Sequence, residues 1–285
     1  MYQFTTKSYQ MDRLSPLLTQ FAPQATLYFH GSSCQKTDFC PQQQRAYLHL
    51  IESGQGLIRL GAEQLAISEP CLLFIPQGLA HQFAVEPGAS LAFHCATLDC
   101  GGQAGNPLLN ALPDISLIPL QQCPELRAVM CMIWQENQQQ QCGHHTAVQR
   151  LTEYLLVLLL RWIMTSSPPE QGVLAGLADK KLAPLFNLLH LQPERHWTLE
   201  LMALETGMSR ARFAEHFRAV VGQTPADYLL GWRLSLARKK LLQGAELKQI
   251  APAVGYQSLT SFHRAFKQKL GLSPKEWLQQ SQQAA

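Results

Sequence analysis

The chain has 285 residues, 46% of them apolar, and a formal net charge of +3. That length and apolar share exclude a disordered chain and leave room for two packed domains. Eight cysteines accompany no charged-then-apolar leader, so the expectation is a cytoplasmic protein with reduced thiols, not a secreted disulfide framework. The apolar run LLVLLL, Leu155 to Leu160, is too short to span a bilayer, and no membrane partner is expected.

Charge divides the chain. Residues 1–179 hold 8 basic and 13 acidic side chains, a balance of −5, whereas residues 180–285 hold 15 and 7, a balance of +8. A basic half suits a polyanionic partner, and an acidic half suits some other task.

From Arg45 to Leu98 short apolar stretches alternate with Gly and Pro punctuation, the pattern of strands. Turns are expected near Ser53-Gly54, Gly61-Ala62, Pro76-Gly78 and Pro87-Gly88. The segment PQGLAHQF, Pro76 to Phe83, contains Pro-x-Gly-x-x-His and resembles the second motif of the cupin barrels. Continuing through NPLLNALPD, Asn106 to Asp114, it resembles the cupin-like sensor domain that precedes some DNA-binding domains of the AraC family. This resemblance spans about residues 12–165. Enzymatic cupins hold a metal with two or three histidines and a glutamate. Placing SGQG, residues 53–56, on the usual turn sets Pro41, Gln42 and Gln43 at the His-x-His positions and leaves His81 alone of that set. The expectation is a barrel with no metal, no cofactor and no enzymatic activity, because so few donors make no facial site.

The barrel region also holds thiols and imidazoles. Isolated cysteines are usually small hydrophobes, so Cys71, Cys123 and Cys131 are assigned to packing. Cys95 follows His94 on a strand, Cys100 comes shortly after, Cys34 and Cys40 precede the first strong strand, and Cys142-Gly143-His144-His145 makes a second local cluster. Cys95 is the expected redox-responsive thiol, with Cys34, Cys40 or Cys100 as resolving partners and His81 or His94 favouring the thiolate. A soft-metal site of Cys and His, or a small organic ligand in the barrel, stays open as the alternative effector.

Two helices follow, at Cys123 to Gln141 and His145 to Met164, and the leucine density of the second exceeds what one buried stripe requires. SSPPEQG, Ser166 to Gly172, then reads as the start of a linker.

The last hundred residues repeat themselves. LELMALETGMSRARFAEHFRAVVGQTPADYL around Gly207 matches LKQIAPAVGYQSLTSFHRAFKQKLGLSPKEWL around Gly255. Ala203 pairs with Ala251, Phe213 and Phe217 with Phe262 and Phe266, Gly222 with Gly271, and Pro225 with Pro274. Each unit reads as a helix-turn-helix: a small residue where helices approach, a glycine at the turn, a capping serine (Ser209, Ser258), then an amphipathic helix. With the Phe pair turned inward, the outer face carries Arg210, Arg212 and Arg218 in one unit and His263, Arg264 and Lys267 in the other. A long helix, Tyr228 to Gly244, is expected between them. Pro252 inside the first helix of the second unit predicts a late start or a bend.

This region, about residues 181–280, resembles the DNA-binding domain of the AraC/XylS family of bacterial transcription regulators, most strongly over Ile250 to Pro274. The resemblance implies double-stranded promoter DNA as partner, RNA polymerase as a further one, and activation of transcription. By the same resemblance Ala211, Ala214, Glu215, Leu259, Thr260, His263 and Arg264 face bases. Ser209, Arg210, Arg212, Arg218, Ser258, Lys267 and Lys269 are assigned to phosphates. In that family helices like those at 123–164 form an antiparallel contact, which implies a homodimer. The strand position of Cys95 and the opening MDRLSPLLTQFAPQ, Met11 to Gln24, resemble the reactive-chlorine-sensing subgroup. DNA-acting enzymes that borrow the same module carry a Pro-Cys-His-Arg tetrapeptide, which does not occur here.

The expected architecture is α+β. A cupin-like β-barrel at 1–120 precedes a helical hairpin at 121–165, a linker at 166–180, and an all-α domain with two helix-turn-helix units at 181–285.

Overall fold

The computed structural model describes residues 12–33, 36–41, 45–99, 109 and 112–283. Two compact units result, one of residues 21–169 and one joining the segment up to residue 20 with residues 170–285. The domain boundaries expected from sequence therefore shift. The first helix, α1 (Ser15–Phe21), anchors into the helical unit through Arg13, whose guanidinium donates to the Leu177 carbonyl at 2.7 Å. Lys239 donates to the carbonyls of Thr19 and Gln20, and Leu17 is fully buried. Most of the expected linker is likewise structured. Helix α4 (Val173–Ala178) buries Val173, Leu174 and Leu177, and a Cβ on Gly176 would fall 2.4 Å from the Phe186 ring.

The first unit is a two-sheet antiparallel barrel. Its nine described strands are β1 (Gln24–Ser33), β2 (Thr37–Phe39), β3 (Arg45–Gly54), β4 (Gly56–Leu60), β5 (Glu63–Ile67), β6 (Cys71–Ile75), β7 (His81–Ala84), β8 (Leu91–Asp99) and β9 (Ser116–Pro119). One sheet runs β1-β8-β3-β6-β9, the other β2-β7-β4-β5. The turns expected near Gly61-Ala62, Pro76-Gly78 and Pro87-Gly88 fall between strands, while Ser53-Gly54 forms the end of β3, one residue before the turn. The strands at 24–33, 37–39 and 116–119 were not legible, because their apolar residues do not alternate cleanly. Between the sheets lie Ile51, Ile58, Leu73, Ile75, Phe83, Phe93 and Cys95. β6 is buried at every residue, so both faces of its sheet are covered. A hairpin of α2 (Pro124–Gln139) and α3 (His144–Ser166) covers the outer face, with Asn137 of α2 bonded to His94 of β8 and Glu153 of α3 to the Ala25 amide.

The second unit is all helical: α5 (Ala183–Leu191), α6 (Leu199–Glu205), α7 (Arg210–Val221), α8 (Pro225–Leu242), α9 (Leu247–Ala253), α10 (Leu259–Leu270) and α11 (Pro274–Gln283). The caps follow the sequence logic. Ser209 accepts from the Arg212 amide and Ser258 from the Ser261 amide, while Gly222 and Gly271 close their helices at φ 80° and 76°. Pro252 neither delays nor visibly breaks α9: the helix starts at Leu247, and the proline sits in its last turn, where only one donor is lost.

Candidate functional sites: a buried thiol–histidine chain and two exposed helices

In the barrel, β3 and β8 pair so that His49 and Cys95 are direct cross-strand partners. Both point inward. The His49 Nδ1 lies 2.8 Å from the Cys95 sulfur, and its Nε2 lies 2.7 Å from Nε2 of His81 on β7. His81 Nδ1 in turn lies 2.8 Å from the Leu79 carbonyl. Aromatic rings enclose this chain. Phe39 stacks on His81 at 4.7 Å, Tyr47 on His49 at 5.6 Å, and Phe83 meets His49 edge-on.

A bulge completes the arrangement. The register of β1 against β8 slips between Leu27 and Phe29, so Tyr28 is the extra residue opposite the Ala96–Cys95 step. Its side chain hydrogen-bonds to Cys95. Tyr28 also lines a cavity of about 480 Å³ together with Phe39, Arg45, Tyr47 and Thr97.

Burial sets the protonation states. His49, His81 and Cys95 are all at most 4% exposed. Burial, then the neighbouring His81, holds His49 well below the ordinary imidazole range. Burial also lowers His81, against the opposing effect of the hydrogen bond it donates to the Leu79 carbonyl. The Cys95 thiol is pushed up by burial, with Tyr28 acting in the opposite direction. At neutral pH the chain is a neutral thiol and two neutral imidazoles.

These placements correct the sequence reading in several respects. The inward histidine of β3 is His49, which the alignment on Pro41, Gln42 and Gln43 missed, while Gln42 and Gln43 fall outside the described residues. The Tyr47-Leu48-His49 triplet, facing the motif that contains His81, was the available signal. A metal does not fit these donors. His49 turns one ring nitrogen to His81 and the other to Cys95, so the three cannot converge on one point. Among the described residues no group of three or more His, Cys, Asp or Glu is gathered for an ion. His94 does not help Cys95, because it lies on the opposite face of β8. There it stacks on His30 at 4.2 Å, bonds Asn137 and lies 3.9 Å from Glu52, and burial and His30 bring its pKa down to about 4. Cys40 is exposed, and Cys34 and Cys100 fall outside the described residues. Cys71 is buried and its thiol is pushed up to about 12 by burial and Glu69, consistent with packing.

In the helical unit, α7 and α10 present matching outer faces. Phe213, Phe217, Phe262 and Phe266 are fully buried on the inner side. Ala211, Glu215, Thr260 and Arg264 are exposed, Ala214 and His263 half-buried. Leu259 packs partly against the hydrophobic core, which leaves less of it for a base edge than expected. Arg212, Arg218, Lys267 and Lys269 are exposed, but Arg210 is paired with Glu200 at 2.7 Å.

A two-sheet barrel followed by two capped helix-turn-helix units with exposed basic faces defines the build of AraC-type regulators. Residues 12–165 match the cupin family model, and residues 202–280 match that of a helix-turn-helix domain. The chain belongs to this cupin family and carries, C-terminal to it, an AraC-type DNA-binding domain. Its relatives include the HTH-type transcriptional regulator AlkR of Acinetobacter baylyi, 37% identical over 185 residues, 62% of this chain and 60% of that protein. The RCS-specific HTH-type transcriptional activator RclR of Escherichia coli is 28% identical over 284 residues, 96% of this chain and 100% of that protein. The chain spans 60% to 63% of the length of AlkR and of two Streptomyces relatives.

Proposed function

We propose that the protein is a sequence-specific DNA-binding transcription regulator, an activator that responds to an oxidant at its barrel. The observation that carries the DNA-binding half is the duplicated capped helix, with each Phe pair buried and each opposite face basic and exposed. Helices α7 and α10 enter successive major grooves, with Arg264 as the guanine reader and Thr260, His263, Glu215, Ala211, Ala214 and the exposed part of Leu259 along the base edges. Arg212, Arg218, Lys267 and Lys269 meet phosphates. Arg210 joins them only by leaving Glu200. Selection of bound fragments from a genomic library, with and without hypochlorite, tests this reading. Retention of random fragments alone would sink it.

The sensing half rests on Cys95. On β8 the thiol faces the barrel interior while the adjacent His94 faces α2, so a change at Cys95 reaches the helical hairpin within one residue. A Cys95→Ser protein binds DNA but no longer responds to hypochlorite; a normal response in that variant, abolished by chelation in the parent, would transfer the role to a metal.

The reading carries no enzymatic reaction, and it places the protein in the cytoplasm with RNA polymerase as partner. No helix among the described residues is long and apolar enough to cross a membrane. It also includes a homodimer through the hairpin at 123–164. The leucines of α3 support this less than their density in the sequence did, since Leu155, Leu156, Leu158, Leu159 and Leu160 are buried within the protomer. Met132 and Tyr154, about half exposed, lead the apolar surface left for a second copy, with Leu151, Val157 and Trp162 half-buried beside them in the chain. Tyr154→Glu should shift a dimer to monomer in sedimentation; an unchanged dimer places the contact elsewhere.

A further inference from the structure

We propose that His49 is the general base for Cys95 and that His81 is a positioning residue that orients His49 and takes up the charge, making the buried thiol reactive toward a small, neutral, electrophilic oxidant of the hypohalous acid type. This rests on the sensing reading above and adds the residues that would make it work.

One carbonyl orders every proton in the chain. A carbonyl oxygen only accepts, so His81 must donate to Leu79 from Nδ1, 2.8 Å away. In a neutral imidazole Nε2 of His81 is then an acceptor. At 2.7 Å its partner must be the Nε2–H of His49. That leaves Nδ1 of His49 bare, and the thiol of Cys95 donates to it across 2.8 Å. The thiol proton therefore has a receiving lone pair already aimed at it, and the base has its second nitrogen already tied. This is the nucleophile–base–orienter geometry of covalent catalysis, assembled here from three strands.

Burial explains why such a chain is needed. A lone thiolate among Phe83, Phe93 and Ile75 is costly, and the raised thiol reflects that. Reaction through prior ionisation is therefore slow. Moving the proton during the attack avoids the isolated anion. When Nδ1 of His49 takes the proton, its Nε2 proton passes to Nε2 of His81. The positive charge then rests on the imidazole that already donates to Leu79, one ring removed from the sulfur. The Tyr28 hydroxyl, aimed at Cys95 by the bulge in β1, steadies the developing charge on sulfur. Tyr28, which acts on the thiol, also lines the cavity of about 480 Å³, together with Phe29, Phe39, Tyr47 and Phe93.

The step balances. The sulfur attacks the halogen of HOX, the S–X bond forms, and the O–X bond breaks with its electron pair on oxygen. The departing hydroxide becomes water with the proton released through His49 and His81: RSH + HOX gives RSX + H2O. Sulfur is oxidised by two electrons and the halogen reduced by two. Water then converts the sulfenyl halide to a sulfenic acid and HX.

The test is the pH–rate profile of Cys95 modification in the full chain, read by mass spectrometry. Methyl methanethiosulfonate serves as a slow, small, neutral probe, and hypochlorous acid as the oxidant. In the parent the rate with methyl methanethiosulfonate, which does not titrate, should form a plateau from about pH 6.5 to 8.5, since the base is already present. His49→Gln keeps an acceptor for the thiol but no base. Its rate should fall at least tenfold at pH 7 and climb about tenfold per pH unit, following free ionisation. His81→Gln keeps the acceptor for His49 and should slow reaction several-fold. A variant whose barrel loosens exposes the thiol and reacts faster, which separates disruption from loss of the base; the other variant then decides. Parent-like profiles in both variants overturn the relay. If modification of Cys95 follows the expected profiles but transcription does not respond, the sensing reading fails and the relay stands.

Discussion

The two turn glycines of the repeat hold equivalent positions yet should respond very differently to the same methyl group. Gly207 has φ 64°, and nothing lies within 4 Å of the point a Cβ would occupy. Gly207→Ala therefore meets only the left-handed backbone penalty, about 1–2 kcal/mol. Gly255 has φ 83°, and its added Cβ would fall 2.5 Å from Nη2 of Arg233 and 2.9 Å from the Pro193 carbonyl oxygen. That guanidinium donates from Nε to Pro193 at 2.8 Å and from Nη2 to the Arg195 carbonyl at 2.9 Å, tying α8 to the loop before α6. A displaced guanidinium loses at least one charged hydrogen bond, about 1.5–3 kcal/mol, so Gly255→Ala should cost about 2.5–5 kcal/mol in all. Urea unfolding of the helical unit, followed by circular dichroism, measures both. In an Arg233→Ala background the extra cost of Gly255→Ala should shrink toward that of Gly207→Ala. Equal losses for the two glycines, within about 0.5 kcal/mol, would refute the reasoning.

Three further outcomes are expected. Arg264→Ala should cost about 1–3 kcal/mol on a specific site and relax preference at one base pair; equal losses on random DNA would reassign the residue to phosphate. Lys267→Ala should weaken binding to all DNA and lower the salt slope by about 0.9, and an unchanged slope places it away from the backbone. His190, buried with Nε2 2.6 Å from the Tyr228 hydroxyl, has its pKa brought down to about 3 by burial. Its folded pKa lies below the unfolded value, so the unfolded chain binds the extra proton. The contribution is complete above about pH 6.5 and is lost as pH falls toward 3, by up to about 1.4 kcal/mol per pH unit. Urea midpoints of the helical unit at pH 7.5, 6.0 and 5.0 should decline in that order, and a rise on acidification would contradict the assignment.

The helical unit was largely legible because its determinants are local. Phe213 and Phe217 sit one turn apart, Ser209 caps the helix that begins beside it, and Gly222 ends that helix, so a window of fifteen residues contains both cause and result. Duplication at 258–271 then tested the pattern within the same chain. Pro252 misled because its effect depends on where the helix ends, and the neighbouring turn decided that. The barrel was legible as strands and turns, and its motif at Pro76 to His81 stood out for the same local reason. Its chemistry was not. His49 and Cys95 are 46 residues apart and His49 and His81 32 apart, and only strand register brings them within hydrogen-bond reach. A slip of one residue would turn His49 outward and Leu50 in. Likewise His94 and Cys95 are neighbours in sequence but face opposite sides of β8, so adjacency in the chain separated them in space. The bulge at Tyr28, the ring order around His81 and the burial that keeps all three groups neutral belong to the closed barrel alone. Sequence pointed to Cys95; only the fold sets His49 beside it.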